Sequence, residues 1–238
     1  MRNLSAMKDQ IKVIGFDADD TLWVNEPYYR ETERLFTQLM HPVADEETVM
    51  NALIETEVRN IPLYGYGAKG FMLSMIETAL EIAGNKDAKP DIVEGVLSLG
   101  KTLIGKPVVL IDGAQSTLQQ LKDQYKLVLV TKGDLLDQER KLKKSGLNTC
   151  FHHIEILSDK KEENYQRLFQ NLDVPPEAFM MVGNSLKSDV LPVLKMGAWG
   201  VYIPYHTSWI HERTDENPTK WKHFLELESL SELITLMS

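Results

Sequence analysis

The sequence predicts an α/β protein: a three-layer α/β/α core around a mostly parallel sheet, with an all-helical segment inserted into it. Three observations predict this class. Short apolar, β-branched runs alternate with segments of helical periodicity from Pro107 onward, and strands separated by helices imply right-handed crossovers and parallel pairing. Between about Trp23 and about Gly105 no strand pattern occurs, only helical patterns broken by Pro and Gly. Successive strands end in polar clusters, which parallel strands carry to one edge of the sheet.

The first strand is Ile11-Lys12-Val13-Ile14-Gly15-Phe16, which runs into Asp17-Ala18-Asp19-Asp20-Thr21-Leu22. Several carboxylates at a strand end are costly to bury unless a cation or a chemical role compensates them, and ligands of open α/β sheets bind at the carboxyl ends of strands. Helical spacing then covers Glu31–Met40, Glu46–Val58, Lys69–Ala83 and Asp91–Leu103, with a break at Ile61-Pro62 and at Gly65-Tyr66-Gly67. This stretch reads as a small helical lid or cap. A helix over Ala114–Lys122 precedes the second strand, Lys126–Thr131, and Leu135–Ser145 is a helix stopped by Gly146. The third strand, His153–Leu157, leads into Ser158-Asp159-Lys160-Lys161 and a helix over Glu162–Leu172. The fourth strand, Phe179–Val182, ends in Gly183-Asn184-Ser185, with Asp189 shortly after. A helix over Leu186–Met196, a fifth strand over Trp199–Ile203 and a last helix near Leu227–Leu236 complete the chain.

A chain of 238 residues holds one large domain or a core with a smaller insertion. The net charge of −9 argues against a nucleic-acid or membrane-surface binder, so an anionic ligand needs a local cation, backbone N–H groups or a metal. One cysteine, Cys150, excludes an internal disulfide and a cysteine-based zinc site. Residues 1–10 carry no apolar core of a secretory signal and no run is long enough to span a membrane. The expectation is a cytoplasmic protein. Oligomeric state is not legible.

Two acids, a hydroxyl, a lysine and further oxygen donors at one sheet edge suit Mg²⁺, which prefers one or two carboxylates together with a phosphate oxygen. A metal beside Asp17 would hold it ionised as a nucleophile. Asp19 could protonate a leaving oxygen and later activate water, Thr131 could donate to a phosphoryl oxygen, and a lysine would hold nucleophile and anion together. Asp17-Ala18-Asp19-Asp20-Thr21-Leu22, Thr131, Lys160 and Gly183-Asn184-Ser185…Asp189 resemble, in order, the four motifs of the haloacid dehalogenase-like hydrolases over about residues 11 to 205. The helical insertion resembles that family's C1 cap.

The resemblance implies a Rossmann-like core of residues 1–22 and 106–238 and a cap of residues 23–105. It implies Asp17 as nucleophile through an aspartyl-phosphate and Asp19 as general acid/base. Thr131, the following N–H and Lys160 would bind phosphoryl, Lys161 being the alternative lysine. Asp17, Asp19 (also by its backbone carbonyl), Asn184 and Asp189 would form or support the Mg²⁺ site. The implied activity is hydrolysis of a small phosphorylated metabolite. The same residues would serve a phosphomutase. Dehalogenating members lack an acid at the Asp19 position, which disfavours a 2-haloacid dehalogenase. Asp20 stands where glycine is usual and brings a further negative charge, and Asn184 stands where many members have Asp. These two departures favour, as a further alternative, a non-catalytic binding or regulatory protein on this fold.

Other residues stay open between site and packing roles: Tyr66 with its flanking glycines, and Glu26, Tyr28 and Tyr29. His152, His153, His206 and His211 read as solvated or structural rather than ligands.

Overall fold

Six strands form one sheet in the order β3-β2-β1-β4-β5-β6: β1 (Val13–Phe16), β2 (Lys126–Lys132), β3 (His153–Leu157), β4 (Phe179–Gly183), β5 (Trp199–Tyr202) and β6 (Phe224–Glu226). Every pairing is parallel. We describe the fold from a computed structural model, in which residues 4–84, 90–207, 209, 212 and 214–238 are described; His211 lies outside them. The helices, in chain order, are α1 (Leu4–Gln10), α2 (Glu26–Met40), α3 (Glu46–Tyr64), α4 (Ala68–Ala83), α5 (Pro90–Gly105), α6 (Ala114–Leu121), α7 (Leu135–Ser145), α8 (Glu162–Leu172), α9 (Leu191–Lys195) and α10 (Leu230–Met237).

The chain divides into an α/β unit of Met1–Glu26, Val108–Lys132 and Gln138–Ser238, and a helical unit of Pro27–Pro107 with Gly133–Asp137. In the α/β unit, alternate strand residues face opposite layers, as a period of two requires. Ile14, Phe16, Leu127, Leu129, Met180 and Val182 pack with Leu118 of α6, Leu142 of α7 and Leu233 of α10. Their neighbours Val13, Val128, Val130, Phe179 and Met181 pack with Tyr165 and Leu168 of α8 and Val193 of α9. Strands apolar on both faces are what a sheet covered on both sides needs. Trp23, fully buried, belongs to the first of these clusters; the change to helical composition therefore begins in sequence before the chain leaves the α/β core.

The helical unit has its own core, in which Phe36 and Met40 of α2, Val49 and Leu53 of α3, Phe71 and Met75 of α4 and Val96 of α5 meet. Tyr28 and Tyr29 pack against this cluster, Tyr29 with its ring 5.2 Å from that of Phe71. Packing thus accounts for both. Asp45 opens α3 by accepting the Thr48 N–H at 2.8 Å. That helix runs through Pro62 to Tyr64, past the expected break, because a proline so near the end forfeits only one ladder bond. Gly65, at φ 72°, stops it.

Two elements escape sequence reading. Helix α1 is two turns long, with Met7 as its buried anchor. Strand β6 has three residues, too few for a period, yet it pairs with Gly200–Tyr202 at the sheet edge. The helix expected over Leu186–Met196 is instead a π-helical turn, Leu186–Val190, followed by α9. Pro192 cannot donate back to the Ser188 carbonyl, and the Tyr165 hydroxyl donates there instead, at 3.0 Å.

Candidate active site

The strand order reverses beside β1: the chain builds outward through β2 and β3, then returns to place β4 against β1's other edge. Such a switch point opens a crevice at the carboxyl ends of its strands. Asp17 follows β1, Thr131 and Lys132 end β2, Lys160 follows β3, and Asn184 follows β4.

Lys160 is turned inward and is 3% exposed. Its ammonium donates to Asp17 Oδ1 and, at 2.7 Å, to Asp189 Oδ1. Burial alone would lower its pKa, but the Asp17 and Asp189 carboxylates outweigh burial and hold it above its ordinary value. Lys160 is thus a fixed cation and not a base. Lys161 is exposed and pairs with Asp159 at 2.9 Å. Burial, and then the charge of Asp17, push the Asp189 carboxyl up to about 7 against the pull of Lys160. One ammonium does not offset two buried carboxylates. The excess negative charge is what a bound cation would neutralise.

Asp189 reaches this cluster through the π-helical turn, a feature frequent at functional sites. Its Oδ2 accepts the Ser185 N–H at 2.9 Å. A Cβ at position 183 would lie 2.3 Å from Asp189 Oδ2, so the approach requires Gly183.

Thr21 donates its hydroxyl proton to Asp17 Oδ2 at 2.8 Å and accepts the Asn184 backbone N–H at 3.1 Å. One end of the Asn184 carboxamide lies 3.2 Å from Asp17 Oδ2 and 3.3 Å from the Asp19 carbonyl oxygen. An NH₂ group there donates to both. An amide oxygen there completes a cluster of acceptors that a cation reconciles. Among the described residues no three His, Cys, Asp or Glu side chains gather as a metal cluster; the donors here are mixed, a carboxylate, a backbone carbonyl and an amide, which fit a hard cation such as Mg²⁺. Asp189 stands behind them, both its oxygens engaged by Lys160 and Ser185.

The Asp19 side chain is held apart from this group. Trp23 Nε1 donates to Oδ1 at 2.7 Å, Gln138 Nε2 to Oδ2 at 2.8 Å, and Lys141 Nζ to both oxygens at 2.9 and 3.2 Å. Lys141 also donates to Asn25 Oδ1 at 2.7 Å. Gln138 and Lys141 are three apart on α7, on one face of the helix. That spacing was a signal available in the sequence, but it reads equally as an ordinary polar face.

Asp20 carries φ 62°, the left-handed region that glycine favours. Its carboxylate accepts the Asn25 N–H at 2.8 Å and the Glu26 N–H at 2.9 and 3.1 Å, where α2 begins. The extra acid therefore serves a helix start and is committed to these donors. Burial pushes its pKa up to about 8 against those backbone bonds. Thr131, 1% exposed, ends β2 beside β1. Sequence reasoning missed Glu212, which lies in the long connection after β5. It accepts from Lys132 Nζ, from Ser185 Oγ and, at 2.6 Å, from Ser188 Oγ. His152 and His153 are structural: Nδ1 of His152 accepts the Leu127 N–H at 3.1 Å, and His153 meets Glu155 at 2.8 Å.

The sequence model of haloacid dehalogenase-like hydrolases matches residues 11–197, from β1 through α9. The chain belongs to that family. It is a hydrolase, and the two named relatives below are phosphatases. A glyceraldehyde 3-phosphate phosphatase from Pyrococcus furiosus is 28% identical over 209 residues, 82% of each chain. An N-acylneuraminate-9-phosphatase from Mus musculus is 27% identical over 126 residues, 51% of this chain and 50% of that one. A crystal structure of a haloacid dehalogenase-like family hydrolase from Xanthomonas campestris superposes with a TM-score of 0.84 at 38% identity, covering 95% of this chain and 90% of that one. Among the described residues no helix is long and apolar enough to cross a membrane.

Proposed function

We propose that this chain is a Mg²⁺-dependent phosphohydrolase of a small phosphorylated metabolite, working through an aspartyl-phosphate on Asp17 in the cytoplasm. The observation that carries the reading is the buried Asp17–Lys160–Asp189 triad beside the Asp17, Asp19 carbonyl and Asn184 oxygens. The names of the two relatives, both phosphatases of small phosphomonoesters, support the substrate class.

Bound Mg²⁺, held by Asp17, the Asp19 carbonyl and Asn184, would neutralise charge on nucleophile and phosphoryl group. Lys160 fixes the Asp17 carboxylate through Oδ1, and Thr21 fixes Oδ2. A carboxylate oxygen of Asp17 attacks phosphorus, the ester P–O bond breaks, and the Asp19 carboxyl gives its proton to the leaving oxygen. Asp19 then takes a proton from water, whose oxygen attacks the phosphoryl group. Phosphate leaves and Asp17 is regenerated. Thr131 and the Lys132 N–H bind the phosphoryl oxygens, and Lys160 balances their charge. Trp23, Gln138 and Lys141 all bond to the Asp19 carboxyl, so these partners position the group that carries the proton. The helical unit serves as the cap that selects the substrate.

The test is phosphate release from sugar phosphates, glyceraldehyde 3-phosphate, nucleotides and p-nitrophenyl phosphate, with and without Mg²⁺, beside Asp17→Asn. Mg²⁺-dependent release that vanishes in Asp17→Asn is the expected result. Phosphoryl transfer between hydroxyls without net phosphate release would replace hydrolase by mutase. No turnover and no Mg²⁺ binding by folded protein would overturn the proposal.

A further inference from the structure

The Glu212 carboxylate is remote in sequence from everything it touches. Its Oε1 accepts from Lys132 Nζ, the side chain of the residue that ends β2. Its Oε2 accepts from Ser185 and Ser188, which lie in the turn between Asn184 and Asp189. Lys132 Nζ closes the ring by donating to Ser188 Oγ at 3.0 Å. β2 and β4 are the two neighbours of β1, so this single carboxylate joins the loops on either side of the strand that presents Asp17. The connection continues on the β2 side: Gln138 Nε2 donates to the Lys132 carbonyl at 3.2 Å and to Asp19 Oδ2 at 2.8 Å. Neither Lys132 nor Glu212 is more than 16% exposed in its side chain, so solvent screens the pair little.

We propose that Glu212 is a positioning residue for phosphoryl transfer, the pin that sets the spacing between the phosphoryl-binding end of β2, the metal-side turn after β4 and the Asp19 carboxyl. This rests on the phosphohydrolase reading above. Glu212 touches no substrate atom; it acts through Lys132 on the Thr131–Lys132 segment and on Gln138, and through Ser185 and Ser188 on the turn that carries Asn184 and Asp189. Misplacement of these groups weakens contacts made to the transferring phosphoryl group more than contacts made to the rest of the substrate. Glu212, although it lies between β5 and β6, is therefore part of the active-site frame.

The experiment compares wild type, Glu212→Gln, Glu212→Asp and Lys132→Met for p-nitrophenyl phosphate and glyceraldehyde 3-phosphate hydrolysis at saturating Mg²⁺. Glu212→Gln keeps the shape and loses the charge. It should lower kcat by at least about tenfold while KM changes by less than about threefold. Lys132→Met should reproduce that loss, and the double variant should be no slower than the worse single, since both remove one interaction. Glu212→Asp should recover part of the rate. Leu233→Ala, in the buried core on α10, serves as a destabilised control with an unchanged kcat. Equal kcat in wild type and Glu212→Gln, or single losses that multiply in the double variant, would overturn the inference alone. So would a Leu233→Ala variant whose kcat falls in proportion to its stability. An inactive wild type would overturn the phosphohydrolase reading, and this inference with it.

Discussion

Replacing Lys160 by methionine keeps an unbranched side chain one atom shorter and removes its charge. Asp17, Lys160 and Asp189 are each at most 6% exposed, so the two carboxylates would be left in a desolvated setting with no ammonium between them. Breaking a buried ion pair by removing one partner costs about 3–5 kcal/mol, because the orphaned charge stays buried. Domains of this kind hold roughly 5–15 kcal/mol in total, so Lys160→Met should still fold, with a urea midpoint lower by roughly 1–2 M. The readout is tryptophan fluorescence, since Trp23 and Trp199 are buried in the α/β unit that contains the triad. A second substitution decides whether charge is the cause. Asp189→Asn in the Lys160→Met background removes one of the two repelling carboxylates and should restore at least half of the loss. The reasoning is refuted if Lys160→Met stays within about 1 kcal/mol of wild type, or if adding Asp189→Asn lowers its midpoint further.

Three further outcomes follow from named contacts. Asp20→Ala should cost about 2–3 kcal/mol, losing both the N–H acceptors and the tolerance for φ 62°. Asp20→Gly should cost about 1 kcal/mol or less, because relief at φ offsets the lost bonds; equal stability of the two variants in urea unfolding would refute this. Burial would raise the Glu212 pKa, but Lys132 and the hydrogen bonds from Lys132, Ser185 and Ser188 hold it at about 2, below its ordinary value near 4.5. A depressed folded-state value means the unfolded chain binds the proton first, so this stability is present above pH 4.5 and is lost as pH falls toward 2. Between pH 6 and pH 3 wild type should therefore lose roughly 2 kcal/mol more than Glu212→Gln, at about 1.4 kcal/mol per pH unit below 4.5; parallel losses in urea titrations would contradict it. Lys141→Met, which strips Asp19 of its ammonium partner, should lower kcat about tenfold with little change in KM, a charge-assisted bond of this kind being worth about 1.5–3 kcal/mol. An unchanged kcat in steady-state assays would show that Lys141 does not govern Asp19.

What the sequence reveals and what it hides divide along one physical line. Strands β1, β2 and β4 were legible because burial on both faces demands an unbroken apolar run, which needs no knowledge of the partner strand. Asp17, Lys160 and Asn184 were legible as neighbours because parallel pairing forces strand ends to one edge. The partners of those groups obey no such rule. Gln138 and Lys141 sit on a polar helix face like any other until α7 is docked. Glu212 is 80 residues from Lys132 and lies in a connection without periodicity. The segment Gly133–Asp137 groups with the helical unit although it directly follows a core strand, and composition carries no trace of that.

The two departures from the family pattern are resolved by geometry in opposite ways. Asp20 is a backbone matter. Its side chain reaches three N–H contacts at the start of α2, and burial, which pushes its pKa up to about 8, keeps it from setting a full charge against a phosphate at neutral pH. Asn184 is an electrostatic matter. With Asp in its place, the end of β4 would add a carboxylate to a cluster that already holds two against one lysine, and a cation would be needed for the fold itself to tolerate the charge. The neutral amide lets the site close on its own, by turning its NH₂ toward Asp17 and the Asp19 carbonyl, and still offers an oxygen when a cation arrives. The cost is affinity, since an amide oxygen attracts a divalent ion less than a carboxylate does. On the proposed reading, Asn184 would therefore hold the metal weakly in a site that stays assembled without it.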